Sequence, residues 1–121
     1  MTIGDLTARR SELWEWNGAA WAAVAGGQLD AASPLLLVET ATPGEALALE
    51  EAPAGAATAA TWTWSGTAWA RVATTGPPPR FVSAMAFDPA RGAILFGGSA
   101  RDSRRLLGDT WVWDGTAWHA R

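Results

Sequence analysis

The 121-residue chain has no cysteine, no tyrosine and no lysine, and only one histidine. Without cysteine there are no disulfides and no thiolate metal sites, and the redox compartment stays undetermined. Without lysine, every basic side chain apart from His119 is arginine; with abundant alanine and glycine, that bias looks like codon usage in a GC-rich genome rather than chemistry. Long apolar runs are missing as well. No stretch approaches the ~18 consecutive apolar residues of a membrane span. The start, Met1-Thr2-Ile3-Gly4-Asp5-Leu6, lacks the basic head and apolar core of a secretory signal. Localisation is therefore unassigned and no membrane partner is expected. A net charge of −3 with dispersed arginines argues against a phosphate-tracking surface, so nucleic acid is not an expected partner. At this length the chain is one small domain or part of a larger one.

Tryptophan is plentiful. All nine fall in three copies of one stretch: Trp14-Glu15-Trp16-Asn17-Gly18-Ala19-Ala20-Trp21, Trp62-Thr63-Trp64-Ser65-Gly66-Thr67-Ala68-Trp69 and Trp111-Val112-Trp113-Asp114-Gly115-Thr116-Ala117-Trp118. Equivalent positions are 48 residues apart (14 to 62) and then 49 (62 to 111), a period typical of stacked repeat arrays. Asn-Gly, Asp-Gly and, more weakly, Ser-Gly between β-prone residues signal hairpins. A two-residue loop at Asp114-Gly115 pairs Trp111 with Trp118, and likewise Trp62 with Trp69 and Trp14 with Trp21. Side chains alternate along a strand, so each hairpin presents three tryptophans on one face. An isolated two-stranded ribbon is marginal in water, so these plates are expected to pack sheet on sheet.

Residues 1–10 lack a period and read as a leader or loop; 11–24 form the first tryptophan hairpin. Beyond Gly26-Gly27 and Ser33-Pro34, two apolar runs, Leu35-Leu36-Leu37-Val38 and Glu45-Ala46-Leu47-Ala48-Leu49, flank Thr42-Pro43-Gly44 and suggest a hairpin. Residues 47–51 could also form a helical turn by propensity, but the last unit favours strands. There, 81–87 reads as a strand, Asp88-Pro89-Ala90-Arg91-Gly92 as a type I turn, and Ala93-Ile94-Leu95-Phe96-Gly97-Gly98 as the next strand. Each unit thus runs strand, turn, strand, long loop, tryptophan hairpin, with loops at 50–60 and 99–109. Between units, Pro77-Pro78-Pro79 is expected to run outside the sheets as a stiff connector, since proline cannot donate to a ladder.

The last unit resembles a kelch repeat. It carries Pro79-Arg80, Phe87-Asp88-Pro89, the pair Gly97-Gly98 after a strand, then Asp109-Thr110-Trp111-Val112-Trp113-Asp114-Gly115 and Trp118. The middle unit (25–72) has Leu49-Glu50 where the glycine pair belongs, and the first keeps only its hairpin. The resemblance implies an all-β partial β-propeller of about two and a half four-stranded antiparallel blades, with 73–121 as the best-preserved one. Closed propellers typically have ~4–8 blades, so an open arc would expose sheet edges, and a homo-oligomer completing a propeller is expected.

No catalytic or metal site is expected, and no cofactor. His119 has no second histidine or cysteine beside it, and the carboxylates are scattered. Kelch-type copper oxidases use tyrosine and cysteine, both absent here, and the Ser-x-Asp-x-Gly-x-x-Trp boxes of sialidase propellers fail because Asp114 abuts Gly115. The expected function is a non-catalytic binding or scaffold module that engages a protein through its loops, with Arg101, Arg104 and Arg105 as candidate binding residues. Two alternatives stand beside it: a lectin-like fragment stacking glycans on Trp14 or Trp118, and a non-functional piece of a larger propeller. Gly18, Gly66, Gly115, Gly97 and Gly98, with the nine tryptophans, are the structural repeat positions.

Overall fold

The computed structural model describes residues 2–5, 10–29, 35–73 and 75–121, so the Ser33-Pro34 step and Thr74 of the connector lie outside the described residues. The described residues form strands and no helix. A first sheet contains β1 (Thr2–Asp5), β2 (Arg10–Trp16) and β3 (Trp21–Ala23). A second contains β4 (Leu35–Glu39), β5 (Ala46–Glu50), β6 (Ala60–Trp64) and β7 (Trp69–Ala73). A ribbon pairs β8 (Arg80–Phe81) with β11 (Ser99–Ala100). The third sheet contains β9 (Ala84–Asp88), β10 (Gly92–Phe96), β12 (Thr110–Trp113) and β13 (Trp118–Ala120). The second and third sheets are both four-stranded and antiparallel, ordered as the chain runs. The architecture is all-β and blade-like, as the repeat implies. Ala46–Glu50 is a strand rather than a helical turn; it is joined to β4 by a turn in which the Glu45 N–H donates to the Thr42 carbonyl at 3.1 Å.

Four expectations are corrected. The stretch 1–10 is not simply a leader or loop, because Thr2–Asp5 pairs with β2 as an edge strand. The strand expected over 81–87 is two strands, broken at Val82-Ser83, and its first piece leaves the sheet to pair with β11. The glycine pair is displaced by one residue from its expected equivalent. Phe96 lies opposite Thr110 and Leu49 opposite Thr61, so Gly97-Gly98 correspond to Glu50-Glu51.

The fourth correction concerns the hairpins. Trp16 faces Trp21, Trp64 faces Trp69 and Trp113 faces Trp118, across four-residue loops. A two-residue type I′ loop needs positive φ at both central positions, and in each loop only the glycine has it, at 99°, 99° and 104° for Gly18, Gly66 and Gly115. The preceding side chain instead accepts backbone N–H groups from inside the loop. Asp114 Oδ1 takes those of Thr116 and Ala117 at 2.8 Å each, Asn17 Oδ1 those of Ala19 and Ala20 at 2.8 and 2.9 Å, and Ser65 Oγ those of Thr67 and Ala68 at 3.4 and 3.3 Å. Such local side-chain bonds compete with the tighter ladder. The shift is even, so the three tryptophans of each hairpin still share a face. Ring centroids of the opposed pairs lie 5.5, 5.5 and 5.6 Å apart at nearly equal tilts.

The plates do pack sheet on sheet. Trp64 is buried against Leu13 and Ala46 with Val24, Leu37 and Trp69, which seats the second sheet on the first. Trp113 and Trp118 join Leu47, Leu49, Ala59, Ala93 and Leu95, which seats the third on the second. In each case the last tryptophan of the hairpin reaches across the seam. Trp69 Nε1 donates to the Gly27 carbonyl at 3.0 Å, and Trp118 Nε1 to Thr61 Oγ1 at 2.7 Å.

In the first and last copies the leading tryptophan uses its N–H locally. Trp111 Nε1 donates to Asp109 at 2.8 Å and Trp14 Nε1 to Glu12 at 3.1 Å, the acceptor lying two residues earlier each time. In the middle copy that position is Ala60, and Trp62 Nε1 is buried without a hydrogen-bond partner. A buried unsatisfied donor costs roughly 1–3 kcal/mol. Trp62→Phe should therefore cost about 1–3 kcal/mol less than Trp118→Phe, measured by urea denaturation; equal losses would show that the Trp62 N–H is satisfied in solution.

Candidate functional site

The loops 50–60 and 99–109 meet at the seam between the second and third sheets, where polar contacts join them into one platform. The connector 75–79 lies outside every sheet, as expected, but it is also a hub of acceptors. The Pro77 carbonyl accepts the Ala59 N–H at 2.9 Å, and the Pro79 carbonyl the Arg101 N–H at 3.2 Å. It delivers Arg80, whose side chain is 1% exposed, into a full set of partners. The guanidinium donates to both Asp109 oxygens at 2.7 and 2.9 Å, to the Gly97 carbonyl at 3.0 Å and, through Nε, to the Pro78 carbonyl at 3.2 Å. Bidentate pairing of this kind suits a buried arginine, which cannot shed its charge.

Beside it, the Glu51 carboxylate reaches from the second sheet to accept the Ser83 N–H at 3.1 Å and the Ser83 hydroxyl at 2.6 Å. Gly98 closes the other side: at its φ of 96°, a Cβ would lie 2.7 Å from the Phe81 carbonyl and 3.1 Å from Ser83 N. Squeezed between these contacts, Val82 adopts φ 59°. A β-branched residue in the left-handed region costs on the order of 1–2 kcal/mol, and Val82 is also 87% exposed, so burial does not offset that cost.

Val82 has apolar company. Ser99 is paired with Phe81 on one side and bridged to Leu106 on the other, which aligns Phe81 and Leu106 across one small sheet. Leu106 is 85% exposed and Phe81 is also exposed. The adjoining turn carries Arg104, itself at φ 57°, and Arg105, both exposed. The platform therefore exposes Phe81, Val82 and Leu106, with Arg104 and Arg105 exposed in the adjoining turn.

Of the three arginines expected to bind, two are available. Arg101 points back into the fold and donates to the carbonyls of Pro53 and Ala56 at 3.0 Å each, holding the two loops together. Trp118 is likewise corrected as a stacking residue, being 8% exposed with its N–H committed to Thr61. Trp14 is half-buried and lines a cleft of about 570 Å³ with Trp16, Trp21, Trp64, Glu15 and Glu39. Residues of both parities of β2 line it, so it opens at the strand's edge, where the described pairing with β1 stops at Leu13. His119 bonds Asp114 at 2.7 Å on the exposed third hairpin. Among the described residues, no three His, Cys, Asp or Glu side chains are grouped to hold a metal, and no helix is long and apolar enough to cross a membrane.

Sequence reasoning missed Val82, Leu106, Glu51 and the Arg80–Asp109 pair. A signal existed for the last, since a carboxylate two residues before a hairpin tryptophan occurs in two of the three copies. Compared with protein-family models, curated proteins and solved structures, the chain matches none.

The Arg80 hydrogen bonds, opposed by partial burial and aided by the Trp111 N–H, hold the Asp109 carboxyl down to about 2 from an ordinary 3.8. A depressed folded-state pKa stabilises the fold above the unfolded value, and that stabilisation is lost as pH falls through the folded one. The expected loss from this pair lies between about pH 4 and pH 2. Asp109→Asn should destabilise the chain at neutral pH by about 2–3 kcal/mol, below the full cost of orphaning a buried charge because Asp109 is partly exposed. It should also flatten the acid limb in that window. Chemical denaturation at a series of pH values checks both, and an unchanged acid limb would remove the pair from the account.

Proposed function

We propose that this chain is a non-catalytic binding module of kelch-propeller type, and that its ligand is a protein segment combining apolar anchors with acidic side chains. The reading rests chiefly on Val82, a β-branched residue held at positive φ and 87% exposed beside Leu106 at 85%. Backbone strain concentrates where function needs it, and binding residues are disproportionately carried on loops positioned by a rigid scaffold. Arg104 and Arg105 at the margin favour an acidic partner through steering and register more than through raw affinity. The pairing of buried Arg80 with partly exposed Asp109 and the Glu51–Ser83 clamp keep the platform rigid, which lowers the ordering cost of binding. Nucleic acid fits this small, mainly apolar patch poorly.

Selection from a displayed random-peptide library should enrich sequences with paired apolar residues flanked by Asp or Glu. Leu106→Asp should abolish the enrichment, and Arg104→Glu with Arg105→Glu should invert its charge preference. Enrichment indifferent to all three substitutions would place binding elsewhere. Val82→Gly should stabilise the fold by about 1 kcal/mol, because glycine accepts that φ freely, while weakening peptide capture; calorimetric melting and a peptide titration separate the two effects.

A second reading is favoured by the cleft. Four tryptophans beside Glu15 and Glu39 offer indole faces for sugar rings and carboxylates for their hydroxyls, the pairing of apolar walls with a few polar groups that small-ligand sites use. Oligosaccharide titration would then quench tryptophan emission, and Trp14→Ala would remove the response.

A further inference from the structure

The same seam is built twice inside this chain, and the two outermost faces carry its two unmatched halves. At each internal seam an opposed indole pair is covered by the preceding sheet, and the second indole donates across it. The pair of the first sheet has the same geometry, 5.5 Å between centroids. Yet Trp16 is 53% and Trp21 43% exposed, whereas Trp64 and Trp113 are 2% and 5% exposed. Trp21 Nε1 has no hydrogen-bond partner among the described residues.

The opposite end of the array carries the receiving surface. In the second sheet the face that takes Trp113 and Trp118 presents Leu47, Leu49 and the acceptor Thr61. Register places Ile94, Phe96 and Thr110 at the equivalent positions of the third sheet. These lie on the face turned away from the second sheet. Phe96 is 54% exposed, and the Thr110 hydroxyl, unlike Thr61 Oγ1 with its Trp118 donor, has no hydrogen-bond partner among the described residues.

We propose that the chain associates head to tail with a second copy of itself. Trp16 and Trp21 of one copy seat on Ile94, Phe96 and Thr110 of the next, with Trp21 Nε1 donating to Thr110 Oγ1. The occupant is a second copy because the array already contains this interface between its own consecutive sheets, and each outer face continues that interface. The contact is heterologous: the two surfaces differ, and each copy uses one of each, so growth ends either in a closed ring or in a filament according to the rotation per copy. The inference does not depend on the loop platform, which lies at the internal seam.

Light scattering over a dilution series tests it. The wild-type chain should show a concentration-dependent mass above 12.7 kDa, with tryptophan emission shifting to the blue on association. Trp21→Glu and Phe96→Glu alter exposed positions and should leave the circular dichroism spectrum unchanged. Each variant alone should be monomeric. Mixed, the two should form one-to-one dimers and nothing larger, since each supplies the one face the other lacks. Trp21→Phe should weaken association about threefold to tenfold, the range expected for one hydrogen bond. A monomeric wild type at high micromolar concentration, self-association of either Glu variant, or failure of the mixture to dimerise would each overturn the proposal.

Discussion

An indole pair on a short hairpin sets the terms for everything else. Two rings about 5.5 Å apart present a broad apolar plate with N–H donors, and a two-stranded ribbon cannot bury its own plate. Each hairpin therefore needs another sheet, and the donor fixes where that sheet must place an acceptor. This constraint explains why β4, β5, β9 and β10 exist where they do: they widen each hairpin into a surface able to receive the next. It also explains why the two internal seams differ in detail but agree in kind, one ending on a glycine carbonyl and the other on a threonine hydroxyl.

Stacking alone would leave the sheets free to slide, and the polar contacts at the second seam prevent that. Arg80 reaches from the ribbon to Asp109 and Gly97, Arg101 from the last loop to the middle one, and Glu51 from the second sheet to Ser83. These bonds involve a buried or half-buried group on at least one side, where breaking one partner is costly. The strain at Val82 sits at the centre of this network, held by Glu51 from one side and by Gly98 from the other.

Much of this architecture was legible in the residues because period and pattern depend on local chemistry. The spacing of the tryptophans pointed to the repeat, the two apolar runs flanking Thr42-Pro43-Gly44 to the paired strands Leu35–Glu39 and Ala46–Glu50, and the Asp-Pro turn before Gly92 to the β9–β10 hairpin. The hairpin register was not legible in the same way. Asn-Gly and Asp-Gly fit both a two-residue loop and a four-residue one, and the choice turned on side-chain oxygens capturing N–H groups two and three residues on. The break at Val82 was hidden for a different reason: nothing in Phe81-Val82-Ser83 disfavours a strand, and the kink is imposed by Glu51, 31 positions before Val82 in the chain. Arg101 was legible as a charge but not as an internal tie, since its acceptors are main-chain carbonyls, which carry no sequence signature.

Glu51 occupies the slot that Gly98 fills in the third unit, and the exchange removes an interchangeability that repeat arrays usually keep. A glycine there serves only its own unit, making room for the backbone beside it. A glutamate there serves its neighbour, and only a neighbour with a serine at the matching point can answer it. The middle and last units can therefore no longer be swapped, duplicated or deleted as equivalent modules. Their order along the chain has become part of the fold, and unit shuffling would separate a carboxylate from the one hydroxyl placed to donate to it.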